Sequence, residues 1–294
     1  MRLREVPRRD PLPKVLGAPP GEALCLYWLG QAGFVIDGVG RRVVIDPYLS
    51  DSLEAKYHGS ATPHGRMMPP PVEPGEIRHV DAVLSTHAHT DHLDGATLVP
   101  LLEANPAAVL VAAASSEAKV RERIGAVTPE LILLDAGETA SPVDGIGLQA
   151  TRAAHETLEV DAEGRHLFLG YALRLCGATI LHSGDTIPFP GQIDEVAALS
   201  ADLALLPVNG RDAQRAGAGI PGNMTAREAL ALAEATGIPC VIAHHFDMFA
   251  FNTAPRAELD RIAAESGPVA FHPAITQTCY RLEALTDRSS WGGT

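Results

Sequence analysis

The sequence has no apolar run long enough to cross a membrane as a helix. Its longest uninterrupted apolar segment, residues 107–114, has eight residues, whereas a membrane-spanning helix needs about 20. The basic residues near the N-terminus are not followed by an apolar stretch, so the sequence predicts no secretory signal. We therefore expect a cytoplasmic protein without membrane contact.

The sequence also has few cysteines, and fewer basic than acidic residues. The 4 cysteines are scattered and form no C-x-x-C pair, which is typical of reduced, buried side chains in the cytoplasm. Lys and Arg number 23 against 36 Asp and Glu, so the formal net charge is −13. Because nucleic acids and anionic membranes repel such a surface, we expect a small-molecule substrate as the partner instead.

Short strand-like runs alternate with helical ones over most of the chain. Residues 1–23, rich in Pro, Arg and Gly, are predicted to form an extended N-terminal arm packed on the surface. Residues 24–294 are predicted to form a single domain, in which residues 50–76 are a long loop. The pattern predicts about a dozen strands and about five helices. Hairpin strands and strand–helix units occur in both halves, which predicts an α/β fold with two sheets face to face and helices outside, a four-layer αββα sandwich.

The segment THAHTDHLDG, residues 86–95, concentrates side chains that bind metal ions. It follows a strand-like run, precedes a helical one, and contains His87, His89, Asp91 and His92. Imidazole and carboxylate together suit Zn, Mn, Fe or Co. Because these side chains cannot all face one ion from a regular strand, we expect a sharp loop that divides them between two metals.

More side chains of this kind occur where later strands are predicted to end. His155 follows LQATRAA, Asp185 lies in ILHSGDT, and His244 and His245 follow CVIA. Open sheets present functional residues at the carboxyl ends of their strands, so these side chains can complete a site for two metals. The two oxygens of the Asp185 carboxylate would allow it to bridge them.

In chain order, H-x-H-x-D-H, a lone His, S-G-D and a strand-end His resemble the pattern of the metallo-β-lactamase superfamily. More narrowly, the sequence resembles the L-ascorbate-6-phosphate lactonase-like branch at WLGQAGF, IDPYLSDS, THAHTDHLD, AAHE, HSGDT, PVNGRD, GNMT and HHFDMFAFNTAP. The resemblance covers about residues 25–280. It implies the metallo-β-lactamase fold, one metallo-hydrolase domain, and two divalent metal ions, Zn or Mn. Since relatives assemble, it also allows a homo-oligomer.

The same resemblance assigns roles to the site residues. The implied ligands are His87, His89 and His155 at a first metal, Asp91, His92 and a strand-end His at a second, and Asp185 between the two. We favour His245 over His244 as the last ligand, because relatives carry that His two residues before an Asp, here Asp247. Asp247 either donates a proton to the leaving group or orients His245, and we favour orientation. The predicted catalytic residues are Asp91, Asp185 and Asp247.

Polar side chains near other element ends are predicted to bind the substrate. Asn209 and Arg211 lie just past a strand, and Asn223 lies just before a helix. An Arg side chain can bind phosphate or carboxylate through two hydrogen bonds, and a helix N-terminus attracts anions. A phosphate on the substrate would therefore be bound here. The alternative is an Asn turn beside an exposed Arg ion pair. His64 and Arg66, in the long loop, could reach the mouth of the site, but without a spacing argument we expect them to be solvated.

These residues predict a hydrolase. Two metal ions that share a water lower its pKa from 15.7 towards about 7, so that a metal-bridging hydroxide attacks the substrate. By resemblance the substrate is a sugar lactone, with or without phosphate. A metal-dependent phosphodiesterase and an acyl-homoserine-type lactonase are the alternative enzymes. A metal-binding sensor or structural subunit is the alternative without turnover, because a fold does not fix a function.

Overall fold

Fifteen strands, eight α-helices and two short 3₁₀ helices (Pro74–Glu76 and Ala114–Ser116) make up the regular structure of the computed structural model, which describes residues 1–265 and 267–284. The strands are β1 (Arg2–Pro7), β2 (Cys25–Gly30), β3 (Gly33–Gly38), β4 (Arg41–Ile45), β5 (Ala82–Ser85), β6 (Val109–Ala113), β7 (Leu131–Leu134), β8 (Thr139–Ala140), β9 (Gly147–Arg152), β10 (Leu169–Leu175), β11 (Ala178–His182), β12 (Leu203–Pro207), β13 (Cys240–His244), β14 (Ala270–Pro273) and β15 (Thr278–Glu283). The helices are α1 (Leu12–Gly17), α2 (Ser52–Lys56), α3 (Gly95–Ala104), α4 (Glu117–Ile124), α5 (Gln192–Leu199), α6 (Ala213–Gly217), α7 (Ala226–Thr236) and α8 (Arg256–Ala264). Within this described part, none of the helices combines the length and apolar character that crossing a bilayer requires.

Two mixed sheets hold all of these strands. The eight-stranded sheet has the order β1-β15-β2-β3-β4-β5-β6-β7, and the seven-stranded sheet has the order β14-β13-β12-β11-β10-β9-β8. In both, antiparallel hairpin strands lead into parallel ones, at β4 in the first sheet and at β11 in the second. The predicted two-sheet α/β architecture is confirmed, and so are the hairpins β3–β4 and β10–β11.

Each face of the eight-stranded sheet packs against a different layer. Phe34 and Ile36 of β3 belong to the apolar cluster shared with the second sheet, whereas Val35 between them packs with Leu98 of α3 and Val120 of α4. This division follows from the alternation of side chains along a strand. It explains why β2 and β3 are buried along their whole length. The second sheet is covered by α7, which contacts β12 and β13.

The first 23 residues contain more regular structure than the sequence predicts. β1 pairs with β15 at the edge of the larger sheet, and α1 buries Leu12 and Leu16. The buried Arg42 holds this segment in place: Nη1 donates to the carbonyl oxygens of Leu16 at 2.6 Å and Ala18 at 3.2 Å, while Nε and Nη2 each donate to the Asp37 carboxylate at 2.7 Å. The unpredicted helices α1, α2 and α6 have only 5 or 6 residues, too few for a periodic pattern.

Candidate metal centre

A cluster of histidines and carboxylates lies where strands of both sheets end. His87 follows β5, His155 follows β9, Asp185 follows β11 and His245 comes directly after β13. The structure thus brings together the seven side chains that the sequence analysis assigned to metals, His87, His89, Asp91, His92, His155, Asp185 and His245.

These side chains form two groups joined by one carboxylate. The first group is His87, His89 and His155, and the second group is Asp91, His92 and His245; in each, the potential ligand atoms lie within 4.8 Å of one another. Oδ1 of Asp185 is 3.3 Å from Nε2 of His92 in the second group. Oδ2 of Asp185 is 3.1 Å from Nε2 of His245 and 3.5 Å from Nε2 of His155 in the first group. Asp185 therefore lies between the two groups, as the resemblance implied.

The loop after β5 makes the sharp turn that the sequence predicted. The carbonyl oxygen of His89 accepts hydrogen bonds from the backbone N–H groups of His92 at 3.2 Å and Leu93 at 2.8 Å. Helix α3 then begins at once, with the Asp94 side chain accepting from the Thr97 N–H at its N-terminus. This turn lets neighbouring side chains of one short segment point into different groups.

Asp46, which the sequence analysis did not single out, fixes the orientation of His92. Nδ1 of His92 donates to Oδ2 of Asp46 at 2.7 Å. The same carboxylate accepts from the backbone N–H of Thr86 at 2.8 Å and from its hydroxyl at 2.6 Å. A carboxylate behind a metal-binding imidazole fixes the ring and leaves the other nitrogen for the metal. The usable signal was IDPYLSDS, in which Asp46 directly follows β4.

The charge balance of the cluster favours a bound cation. Burial, with the nearby His92, holds the pKa of His87 well below its usual value, and burial lowers the pKa of His89 to about 4. Both rings are therefore neutral and can donate lone pairs. Burial alone would lower the pKa of His92 too, but the carboxylates of Asp185, Asp46 and Asp91 outweigh it and raise that pKa well above its usual value. Buried negative charge around His92 is what a divalent cation would balance.

The orphaned polar atoms of the cluster fit a metal site. Among the described residues, Nε2 of His87, Nε2 of His92 and Oδ1 of Asp185 are buried without a hydrogen-bond partner. Buried polar atoms normally have partners. These three side chains, one from each group and Asp185 between them, also offer ligand atoms within 4.8 Å of one another. The donors are nitrogen and oxygen, a set that suits Zn, Mn, Fe or Co.

The structure places His245, and not His244, in the cluster. His244 is the last residue of β13 and is fully buried against other rings. Its ring stacks on His182 at a centroid distance of 5.0 Å and meets the edge of Phe34 at 5.5 Å. Burial holds the pKa of His244 well below its usual value, so this residue is a neutral packing group.

Among the described residues, Asp247 forms no hydrogen bond with the His245 ring, which its predicted orienting role requires. The chain leaves β13 through two residues with positive φ, His245 at 64° and Asp247 at 56°. Asp247 lines a separate cavity of about 300 Å³ with Trp28 and Arg256. Among the described residues, Nδ1 of His245 has no hydrogen-bond partner, so Asp247 does not orient it.

Of the three predicted phosphate-binding residues, Arg211 and Asn209 are engaged elsewhere, whereas both amide atoms of Asn223 are buried without a hydrogen-bond partner among the described residues. Arg211 forms a two-point ion pair with Glu228, at 2.7 Å and 2.6 Å, which is the alternative stated for it above. Asn209 and Asn223 are buried, and Nδ2 of Asn209 donates to Oδ1 of Asn252 at 2.8 Å. The sequence did carry a signal for this, because Thr225 and Glu228 form the capping box of α7 and fix the Glu228 carboxylate near Arg211.

A cavity of about 420 Å³ opens over the cluster. One wall is aromatic: the ring of His64 stacks on Tyr57 at 4.2 Å and meets the edges of Phe249 at 5.0 Å and Phe251 at 4.7 Å. His64 is therefore packed into the cavity wall, and the expectation that it is solvated is wrong. Two cationic side chains, Lys56 and Arg123, also line this cavity.

Arg66 holds the long loop against the site. Its side chain is buried, so the expectation that it is solvated is wrong. Its side chain is only 4% exposed, and Nη1 donates to the carbonyl oxygens of Tyr48 at 3.1 Å and Ser50 at 3.2 Å. Its backbone pairs with Phe249 as an isolated β-bridge. The two loops that carry the aromatic wall are thereby joined to each other.

Comparison with known proteins agrees with this architecture. A family model described as beta-lactamase superfamily domain matches residues 41–246. A UPF0173 metal-dependent hydrolase of Saccharolobus solfataricus is 32% identical over 192 residues, which are 63% of this chain and 72% of that protein.

Solved structures share the fold. Igni18, a metallo hydrolase from Ignicoccus hospitalis, has a TM-score of 0.63 and 18% identity over 90% of this chain and 100% of its own. An isothiocyanate hydrolase from Delia radicum gut bacteria has a TM-score of 0.67 and 22% identity over 84% of this chain and 95% of its own. Fold, family model and sequence relatives agree, and the chain belongs to the beta-lactamase superfamily as one of its metal-dependent hydrolases.

Proposed function

We propose that the protein is a lactonase whose reactive centre is formed by the two groups joined at Asp185. One observation carries this proposal: side chains from both groups, among them His89 and His245, line the cavity together with Asp185, so a small substrate can reach them. Divalent metal ions held there would lower the pKa of a bound water and polarise the carbonyl oxygen of the lactone.

In this proposal, Asp91 accepts the proton of the attacking water. Its carboxylate belongs to the second group and also lines the cavity. Burial would raise the pKa of Asp91, but the nearby His92 and His245 outweigh it and keep that pKa below its usual value. The group is therefore an ionised carboxylate within reach of the substrate, as a general base requires.

The side chains that line the cavity indicate which kinds of lactone it can bind. The aromatic wall of Tyr57, His64, Phe249 and Phe251 suits an apolar or planar face of the substrate. If the lactone carries a phosphate or carboxylate, Lys56 and Arg123 are the cationic groups that line the cavity, whereas Arg211 is committed to Glu228. The same wall favours an acyl-homoserine-type lactone as the second candidate, because an acyl chain can pack on it.

The test is metal-dependent proton release. The protein would be stripped of metal, reloaded with Mn²⁺ or Zn²⁺, and given sugar lactones with and without phosphate, an acyl-homoserine lactone, bis-p-nitrophenyl phosphate and a phenylalkyl isothiocyanate. We expect turnover of at least one lactone, only after reloading, and faster than turnover of the other two classes. The phosphodiester is included for the phosphodiesterase alternative, and the isothiocyanate because a protein of similar fold is an isothiocyanate hydrolase.

Two variants show whether the cluster is responsible. His87→Ala removes a buried member of the first group and should abolish metal-dependent turnover. His79→Asn is the matched control, because His79 is exposed and lies at the opposite end of β5 from His87; asparagine tolerates its positive φ of 58°. Faster cleavage of the phosphodiester or the isothiocyanate than of every lactone would refute the lactonase proposal and leave only the metal centre.

A further inference from the structure

Gln31 contacts two of the three potential metal ligands in the second group, Asp91 and His245. Its side-chain Nε2 donates to Oδ2 of Asp91 at 2.8 Å and lies 3.2 Å from Nε2 of His245. Its backbone oxygen accepts from the N–H of His245 and from Nε1 of Trp28, each at 2.9 Å. The residue therefore holds His245 through its backbone and reaches Asp91 through its side chain.

The backbone at Gln31 is in a conformation that glutamine does not favour. Gln31 lies in the tight hairpin between β2 and β3 with φ of 49°, directly after Gly30 with φ of 97°. A left-handed conformation brings Cβ close to backbone atoms and is adopted readily by Gly and, among other residues, by Asn. Such strain concentrates at functional sites, where the surroundings hold it in place. Gly or Asn would adopt this conformation more readily, but neither has a side chain as long as that of glutamine.

The amide of Gln31 is buried but faces the cavity. Gln31 is 1% exposed, it lines the cavity over the cluster, and its Oε1 has no hydrogen-bond partner among the described residues. The orientation of the amide follows from charge, since an oxygen facing the Asp91 carboxylate would be repelled while an N–H is attracted. One N–H therefore fixes the Asp91 carboxylate.

We propose that Gln31 is a positioning residue for the second group, and that its amide sets the metal affinity of Asp91, His92 and His245 while leaving the first group unaffected. The inference rests on the proposed metal centre. Groups that orient metal ligands typically change metal affinity by about 10- to 100-fold when they are removed. Among the Gln31 contacts given above, the ligand candidates Asp91 and His245 both belong to the second group, so the effect should be confined to one binding step.

Two substitutions separate the amide contact from the backbone strain. Gln31→Met keeps the length of the side chain but cannot donate a hydrogen bond. Gln31→Asn keeps an amide and relieves the strain, but its side chain is shorter by one methylene and cannot reach Asp91. A purely structural role predicts that Asn is tolerated at least as well as Gln. The positioning role predicts that both variants lose metal affinity.

The measurement is a calorimetric titration of the metal-stripped full chain with Mn²⁺, with bound metal counted by mass spectrometry. His89→Ala and His245→Ala assign the two binding steps to the first and second groups. We expect Gln31→Met and Gln31→Asn each to raise the Kd of the second-group step by about 10- to 100-fold, with the first-group step changed less than twofold. Gln277→Met is the matched control, because Gln277 is exposed.

The outcomes separate this inference from the proposed function. If wild type takes up two ions and either Gln31 variant keeps the wild-type affinity in both steps, the positioning role is overturned. If both steps weaken equally, the selectivity for the second group is overturned. If wild type takes up fewer than two ions per chain, the two-group metal centre itself is overturned.

Discussion

Asp46→Asn is expected to weaken metal binding with little change to the rest of the protein. The Asp46 carboxylate accepts from Nδ1 of His92 at 2.7 Å and from the Thr86 hydroxyl at 2.6 Å. Asparagine can still accept from the Thr86 N–H, but it turns an NH₂ group towards the imidazole and removes the charge. A hydrogen bond to a charged group contributes about 1.5–3 kcal/mol. At about 1.4 kcal/mol per factor of ten, we expect metal affinity to fall by about 10- to 100-fold, the range found for such groups.

The assay is competition for metal between the protein and a chelator of known affinity, with the free energy of unfolding measured in parallel. Asp135→Asn is the matched control, because Asp135 also accepts from a histidine, His166 Nδ1 at 2.9 Å, but at a part of the surface that does not line the cavity. The control should bind metal like wild type. Unchanged metal affinity of a folded Asp46→Asn protein would refute the idea that His92 is held for a metal by Asp46.

Three further substitutions test the buried Arg42–Asp37 pair, the aromatic wall and Arg211. Arg42→Met leaves the buried Asp37 carboxylate uncompensated and should lower the free energy of unfolding by about 3–5 kcal/mol in urea denaturation; a loss below 1 kcal/mol would contradict it. Phe251→Ala shortens the aromatic wall and should raise KM for the best lactone several-fold with kcat changed less, and an unchanged KM would remove this wall from the substrate site. Arg211→Gln should leave KM for a phosphorylated lactone within twofold, because the guanidinium is bound to Glu228; a large rise in KM would restore Arg211 as a phosphate ligand.

Local patterns in the sequence were sufficient for the fold and for the composition of the cluster. THAHTDHLDG predicted a sharp loop between a strand and a helix, and the structure has that loop between β5 and α3. His155, Asp185 and the pair His244 and His245 were found because ligand-type side chains at strand ends converge when the strands share a sheet edge. The choice of His245 within that pair came from the resemblance. The resemblance to the metallo-β-lactamase superfamily is confirmed, while the likeness to its lactonase branch and the metal-binding roles stay predictions.

Side-chain partners across the sequence could not be predicted in the same way. The structure gives no support to the roles predicted for Asp247 and Arg211, because both depended on where a loop side chain points. Asp247 lines a separate cavity and not the one over the cluster, and Arg211 is ion-paired with Glu228, 17 residues further along the chain. Asp46 was missed for the converse reason: its importance comes from His92, 46 residues away. Such pairings depend on tertiary packing, which a single sequence does not reveal.

The central claim is that lactone hydrolysis depends on metal held by the two groups joined at Asp185. The most direct measurement is the initial rate of hydrolysis of the best lactone against the number of metal ions bound per chain, for wild type and Asp185→Ala. We expect no turnover by stripped wild type, a rate that rises with bound metal to a plateau at two ions, and loss of both metal and rate in Asp185→Ala. Lactone turnover by the stripped protein, or full metal content and rate in Asp185→Ala, would contradict the account.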